Sequence, residues 1–165
     1  MIARMAHEVL DLNKGVGNMV IVGMRTRGEF VAKRVAAVIK EVEKRSVPVG
    51  VLDVSLYRDD FRVKLKQPKV QVTDIPCDIH DKNIILFDDV LFTGRTVRAA
   101  LDELTDFGRP RTIQLGVLID RGLRELPIAA DYVGKKVPTT AGEEIVVRME
   151  EVDGEDNVTL ERVKK

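Results

Sequence analysis

Cysteine and histidine are almost absent from this chain. The single cysteine, Cys77, permits no intrachain disulfide and no cysteine-rich zinc site. The two histidines, His7 and His80, are too few for a multi-histidine metal centre. An excess of one charge is also missing. Lys+Arg and Asp+Glu both number 27, which excludes a whole-molecule basic field for nucleic acid but leaves room for a local basic face. No apolar run approaches the roughly 18 residues of a membrane span, and the opening MIARMAHEVL does not read as a signal peptide. No Gly-Lys-Thr/Ser occurs, so nucleoside triphosphate hydrolysis through a Walker A loop has no support. What is present is 165 residues, 44% hydrophobic and 33% charged, with no internal repeat or linker. A cytoplasmic, globular, single-domain protein is expected.

Periodicity supplies the elements. Ile2, Met5, Ala6, Val9 and Leu10 follow helical spacing, with a stop at Asn13-Lys14-Gly15. Met19-Val20-Ile21-Val22 reads as a strand running into Gly23. A helix follows Gly28, with Val31, Val35, Val38, Ile39 and Val42 on one face. Val47 to Leu56 reads as a strand, and residues 57 to 82 as a long polar loop. Ile84-Ile85-Leu86-Phe87 is continuous and apolar, as in the centre of a parallel sheet. A helix from about Thr96 carries Val97, Ala100, Leu101 and Leu104 inward and stops at Gly108 and Pro110. Ile113 to Ile119 is another strand, and Arg121 to Lys165 reads as loops and short strands such as Ile145-Val146-Val147. Strands alternating with helices predict an α/β fold with a mostly parallel sheet flanked by helices. Ligands of such sheets sit beyond the carboxyl ends of the strands, so the loops after Val22, Phe87 and Ile119 matter most.

The strongest motif runs from Ile84 to Thr96. Two acids, Asp88 and Asp89, end a buried strand, and Val90, Leu91 and Phe92 lead to Thr93, Gly94, Arg95 and Thr96 at a helix start. A helix N-terminus offers unpaired N–H groups and partial positive charge, which suit a phosphate. Gly94 allows close backbone approach, and the threonine hydroxyls add donors. The acids cannot serve the phosphate, because like charges repel. They suit sugar hydroxyls, or a hydrated Mg²⁺ beside Asp89 through water. The plain alternative is that both acids cap the following turn.

This motif resembles the phosphoribosyl pyrophosphate (PRPP) signature of type I phosphoribosyltransferases. Leu56-Tyr57-Arg58-Asp59-Asp60, Gly108-Arg109-Pro110, Asp120-Arg121-Gly122, Arg124-Glu125-Leu126-Pro127 and Asp131-Tyr132-Val133-Gly134-Lys135 narrow it. Together they are similar to the family of pyrimidine operon attenuators that double as uracil phosphoribosyltransferases. The resemblance covers nearly the whole chain. It implies the type I phosphoribosyltransferase fold, with a small hood formed mainly from residues 120–165 and the N-terminal segment. It implies conversion of uracil and PRPP to UMP and pyrophosphate with Mg²⁺. It implies UMP- or UTP-responsive binding of pyrimidine-operon leader RNA, and a homodimer or homotetramer.

The resemblance also assigns residues. Asp88 and Asp89 would hold the ribose hydroxyls, and the Thr93–Thr96 loop the 5′-phosphate. Gly23-Met24-Arg25-Thr26-Arg27-Gly28 would be the pyrophosphate loop, acting through Thr26 and Arg27; the plain alternative is an ordinary turn with solvated arginines. Arg58 would close over PRPP from a mobile loop, or be a surface arginine beside solvated Lys64, Lys66 and Lys69. Asp120, Arg121, Tyr132 and Val133 fall where the base would sit, although Tyr132 could be plain core. Arg4, His7, Arg124 and Lys135 would belong to an RNA face. The family pattern there reads Arg-Gly-His-Arg-Glu-Leu-Pro-Ile-Arg-Ala-Asp-Tyr. This chain has Leu123 for the histidine, Ala129 for the second arginine, and Ala3 where a small hydroxyl residue is frequent. Two alternatives stay open at this level: a purine-type phosphoribosyltransferase, and a regulator with little catalysis.

Overall fold

The structure is a computed structural model and describes residues 1–55 and 72–162. Helix α1 (Ile2–Asn13) precedes strand β1 (Met19–Met24), helix α2 (Arg27–Glu43) and strand β2 (Val49–Leu52). Strand β3 (Asn83–Leu91), helix α3 (Arg95–Phe107) and strands β4 (Thr112–Asp120) and β5 (Tyr132–Lys136) follow. Strand β6 (Glu143–Arg148), the short helix α4 (Glu150–Asp153) and strand β7 (Asn157–Arg162) close the described chain. The main sheet has five parallel strands in the order β2-β1-β3-β4-β5, and β6 and β7 form a separate antiparallel pair. No helix among the described residues is long and apolar enough to cross a membrane.

Two apolar layers explain the sequence of β3. Ile85 and Phe87 pack with Met5, Val9, Val31, Val35 and Ile39 from α1 and α2. Ile84 and Leu86 pack on the opposite face with Val97, Ala100 and Leu104 of α3. Alternate side chains of a strand point to opposite faces, so a strand covered by helices on both sides must be apolar throughout. Helix α1 stops where expected. Lys14 and Gly15 take positive φ values of 53° and 98°, and the Gly15 N–H donates to the Leu10 carbonyl.

Three expectations need correction. The strand expected over Val47 to Leu56 shrinks to β2, because the Asp53 carboxylate accepts the N–H and hydroxyl of Ser55 and turns the chain; Leu56 lies outside the described residues. Val42, expected on the buried face of α2, is exposed in its last turn. Most consequential is β5, read from the sequence as part of a loop-rich tail but in fact the fifth strand of the main sheet. It is short, ends in two exposed lysines, and carries Gly134, where a Cβ would stand 2.3 Å from the Leu118 carbonyl oxygen. That glycine, needed for close approach, weakens the strand signal.

Candidate active site

The acids lie within β3 rather than beyond it. Asp88 is registered against Val117 and Leu91 against Asp120, so the strand carries both acids to the carboxyl edge of the sheet. Asp88 is 8% exposed, while Asp89 is half-buried. The Asp89 N–H donates to Asp88 Oδ1 and the Val90 N–H to Asp89 Oδ1, each at 2.9 Å. Local capping is therefore present at both acids.

Beyond the acids, Gly94 adopts φ 94° as the N-cap of α3, a conformation that favours glycine. No acidic residue lies in the first turn of α3, so the positive end of the helix is uncompensated within its own sequence. The Arg95 N–H donates to the Thr93 hydroxyl at 3.3 Å, and the Glu125 and Leu126 N–H groups donate to the Thr93 carbonyl. A cavity of about 240 Å³ opens here, lined by Asp88, Val90, Leu91, Phe92, Thr93, Gly94, Arg95, Thr96, Val97 and Glu125. Arg95 bonds Glu125 through Nε at 2.6 Å.

The loop after β1 meets the same acids from the other side. A Cβ on Gly28 would stand 2.5 Å from the Phe87 carbonyl oxygen and 3.0 Å from Asp88 Cα, so the start of α2 rests directly on the β3 backbone. Thr26 is the N-cap of α2 and Arg27 its first residue. Arg27 is close enough to Asp89 to feel its charge, and its guanidinium is raised above its ordinary pKa, chiefly by a hydrogen-bonded pair with Asp153. The Arg25–Thr26 peptide is cis. The start of α2 thus rests against Asp88, and the start of α3 shares a cavity with it.

Residues 1–151 match the family described as "Phosphoribosyl transferase domain". The chain is 56% identical over 159 residues to the Bifunctional protein PyrR of Pelotomaculum thermopropionicum, covering 96% of this chain and 88% of that protein. It is 55% identical over 161 residues to the Bifunctional protein PyrR of Halalkalibacterium halodurans, covering 96% and 89%. The chain belongs to the PyrR family of phosphoribosyltransferases. In fold it is similar to the hypoxanthine phosphoribosyltransferase of Trypanosoma cruzi, with a TM-score of 0.70 at 18% identity, covering 99% of this chain and 90% of that one. The corresponding Staphylococcus aureus enzyme gives 0.66 at 19%, covering 99% and 88%.

The residues expected at the base do not all gather at this PyrR site. Asp120 does: it ends β4, where its carboxylate accepts the Gly122 N–H at 3.0 Å and pairs with Arg124 at 2.7 Å. Burial pushes that carboxyl up, but Arg124 and the Gly122 N–H outweigh it and hold the group below its ordinary pKa. Arg121 is 6% exposed and works as a structural staple. It donates to the Thr139 hydroxyl at 3.0 Å and to the Glu143 carbonyl, and lies over the Phe92 ring at 3.9 Å from the centroid. Tyr132 must be corrected to plain core. It sits at the start of β5, four residues before the edge where Asp120 pairs with Lys136. It is 2% exposed, and its hydroxyl donates to Gln114 at 2.6 Å. Burial pushes its pKa up to about 12, against an opposing hydrogen bond from Asn13. Val133 packs under the α3 face of the sheet. Arg58 lies outside the described residues, as do Lys64, Lys66 and Lys69.

Of the residues expected on the RNA face, His7 and Lys135 are exposed. Arg4 is half engaged: it pairs with Glu8 at 2.6 Å and donates to the carbonyls of Val133 and Gly134 at the free edge of β5. Arg124 is a correction. Besides Asp120 it donates to the carbonyls of Phe92 and Ile128, both at 2.9 Å, so it fastens the covering loop instead of facing solvent. Leu123, Ala129 and Ala3 are all exposed, which places the three departures from the family pattern on the surface.

Sequence reasoning missed three acids. Glu29 is buried in the first turn of α2, paired with Arg25 at 3.0 Å and Lys33 at 2.6 Å; the i, i+4 spacings were the available signal. Glu103 is 5% exposed on α3, accepting the Thr73 hydroxyl at 2.6 Å. Asp153, 126 positions from Arg27, carried no sequence signal at all.

Proposed function

We propose that this chain transfers the ribosyl 5-phosphate group of PRPP to N1 of uracil, giving UMP and pyrophosphate. The observation that carries this reading is the convergence of two helix starts on one acid pair, with Gly28 of α2 against Asp88 and Gly94 of α3 facing the cavity beyond it. An anion at each helix start and a polyol between them match a sugar with a phosphate at one end and a pyrophosphate at the other. Thr93, Gly94, Arg95 and Thr96 receive the 5′-phosphate, Asp88 and Asp89 the ribose hydroxyls, and Thr26 and Arg27 the leaving pyrophosphate. The C1′–O bond breaks with its electron pair going to the pyrophosphate, a C1′–N1 bond forms, and the N1 proton of uracil passes to solvent. Placement and charge stabilisation carry the rate, with no nucleophile from the protein required.

Mg²⁺ fits this donor set. Asp88 and Asp89 put hard carboxylate oxygens side by side near the end of β3, the donor type Mg²⁺ takes, and Asp89, the more open of the two, would hold the ion through water. The ion would neutralise charge on the departing pyrophosphate. Of residues 120–162, those outside strand β5 join the N-terminal segment in the hood over the base, and Arg58 supplies a cation to PRPP.

The protein also regulates pyrimidine biosynthesis genes by transcription attenuation, binding leader RNA in response to UMP or UTP through a face that includes Arg4, His7 and Lys135. It works in the cytoplasm as a homodimer or homotetramer. The direct test is appearance of UMP and pyrophosphate from uracil and PRPP with Mg²⁺. Loss of product when the acids of β3 are replaced supports the site, and undiminished turnover removes it.

A further inference from the structure

Arg27 opens α2 within charge range of Asp89. Asp153 of α4 grips its guanidinium in a fork, Nε to Oδ2 at 3.1 Å and Nη2 to Oδ1 at 2.8 Å. We propose that Asp153 is a positioning residue for PRPP: its fork holds the guanidinium of Arg27 at the start of α2 with the opposite edge turned to the pyrophosphate. This rests on the reading of Arg27 as a pyrophosphate-binding residue.

The geometry favours orientation over competition. A guanidinium has five N–H donors, and this fork engages one edge, leaving Nη1 and the second Nη2 proton for an anion. An arginine side chain carries large rotamer entropy, and a partner that fixes it beforehand spares the ligand that cost. Asp153 is itself fixed, because its Oδ2 accepts the Met149 N–H at 2.8 Å. The surrounding segment is fastened separately: Arg34, two helical turns along α2, pairs with Glu151 at 2.7 Å and Asp156 at 2.8 Å. The α4 segment therefore has anchors on α2 that do not involve Arg27. That separates holding the segment from aiming the arginine.

The test uses the full-length protein in four forms: Asp153→Asn, Arg27→Ala, both together, and Asp156→Asn. Each is measured for PRPP KM, the inhibition constant of pyrophosphate, uracil KM, kcat and Tm. Asp153→Asn is expected to raise the PRPP KM and the pyrophosphate constant about fivefold or more, within the range of direct side-chain coupling, and to leave uracil KM within twofold. Asp156→Asn is expected to lower Tm without moving the PRPP constants. In the Arg27→Ala background, Asp153→Asn should add nothing. If Arg27→Ala impairs PRPP use but Asp153→Asn does not, or Asp153→Asn tightens PRPP, the positioning role is overturned while the pyrophosphate loop stands. It is also overturned if Asp153→Asn impairs PRPP use equally in the Arg27→Ala background, or if Asp156→Asn reproduces the effect. If Arg27→Ala leaves PRPP kinetics unchanged, the pyrophosphate-loop reading fails and the proposal with it.

Discussion

At the scale of single residues, the acids of β3 differ in surroundings although they are adjacent. Asp88 is nearly covered and Asp89 half-open, so their substitutions should separate. Asp88→Asn and Asp89→Asn are each expected to lower kcat/KM for PRPP by at least about tenfold, equivalent to about 1.4 kcal/mol, with Asp89→Asn also shifting the Mg²⁺ dependence. Steady-state kinetics across Mg²⁺ concentrations would check this, with far-ultraviolet circular dichroism confirming an intact fold. The two acids were legible in the sequence because a pair of carboxylates at the end of an apolar run has few structural uses. Glu103 was not, because its significance comes from Thr73 and Asp53 meeting it across the fold.

Glu103 gives a second prediction at this scale. Burial raises its pKa above the ordinary 4.5, against the lowering effect of the Thr73 hydroxyl, and the charges of Asp53 and Asp106 raise it further. Its Oε2 is buried without a hydrogen-bond partner among the described residues. An acid whose folded pKa is raised favours folding while protonated. Its contribution is full below the unfolded pKa and is lost as pH rises through the folded value. Glu103→Gln keeps an oxygen for Thr73 and cannot ionise. Thermal melts should therefore show the variant more stable than the parent at pH 8, with the difference shrinking toward pH 4. A difference independent of pH would contradict this.

Elements place these residues, and α2 meets β3 at close range through Gly28. With 2.5 Å between a hypothetical Cβ and the Phe87 carbonyl, Gly28→Ala must push α2 off β3. A loss of about 1–3 kcal/mol of stability is expected, together with a raised PRPP KM, because the same shift carries Arg27 away from Asp89. Gly17→Ala, where nothing lies within 4 Å, should change stability by less than about 0.5 kcal/mol. Denaturant melts of both variants decide the matter. Elements with a full apolar face, α1, α2, β1, β3, α3 and β4, were all legible from period and composition. Strand β5 was not. Its pairing partner is β4, but its residues alternate between core tyrosine, close-contact glycine and edge lysines. The resemblance put Tyr132 at the base site with plain core as the alternative, and its place at the start of this buried strand decides for the core.

At the scale of the whole molecule, the balance of charge bears on RNA. With equal numbers of acids and bases there is no general field to offset lost contacts. Leu123 and Ala129 are exposed and can neither neutralise phosphates nor donate to bases. Binding of a pyrimidine-leader hairpin should be weaker than for relatives carrying the histidine and arginine. Leu123→His with Ala129→Arg should strengthen it and steepen its dependence on salt, since each phosphate contact changes the logarithmic salt slope by nearly one. Titrations with and without UMP at several salt concentrations check this, and nanomolar binding unchanged by the double substitution would refute it.

The fold alone does not choose the base, since the structural neighbours named above act on hypoxanthine while the chain belongs to the PyrR family. The central claim is therefore tested most directly by kcat/KM for uracil, hypoxanthine and guanine with saturating PRPP and Mg²⁺. Uracil is expected to be preferred by at least about 100-fold, because a mismatched base leaves buried polar groups of the pocket unpaired. Equal or greater kcat/KM for hypoxanthine would contradict the account and assign the chain a purine substrate.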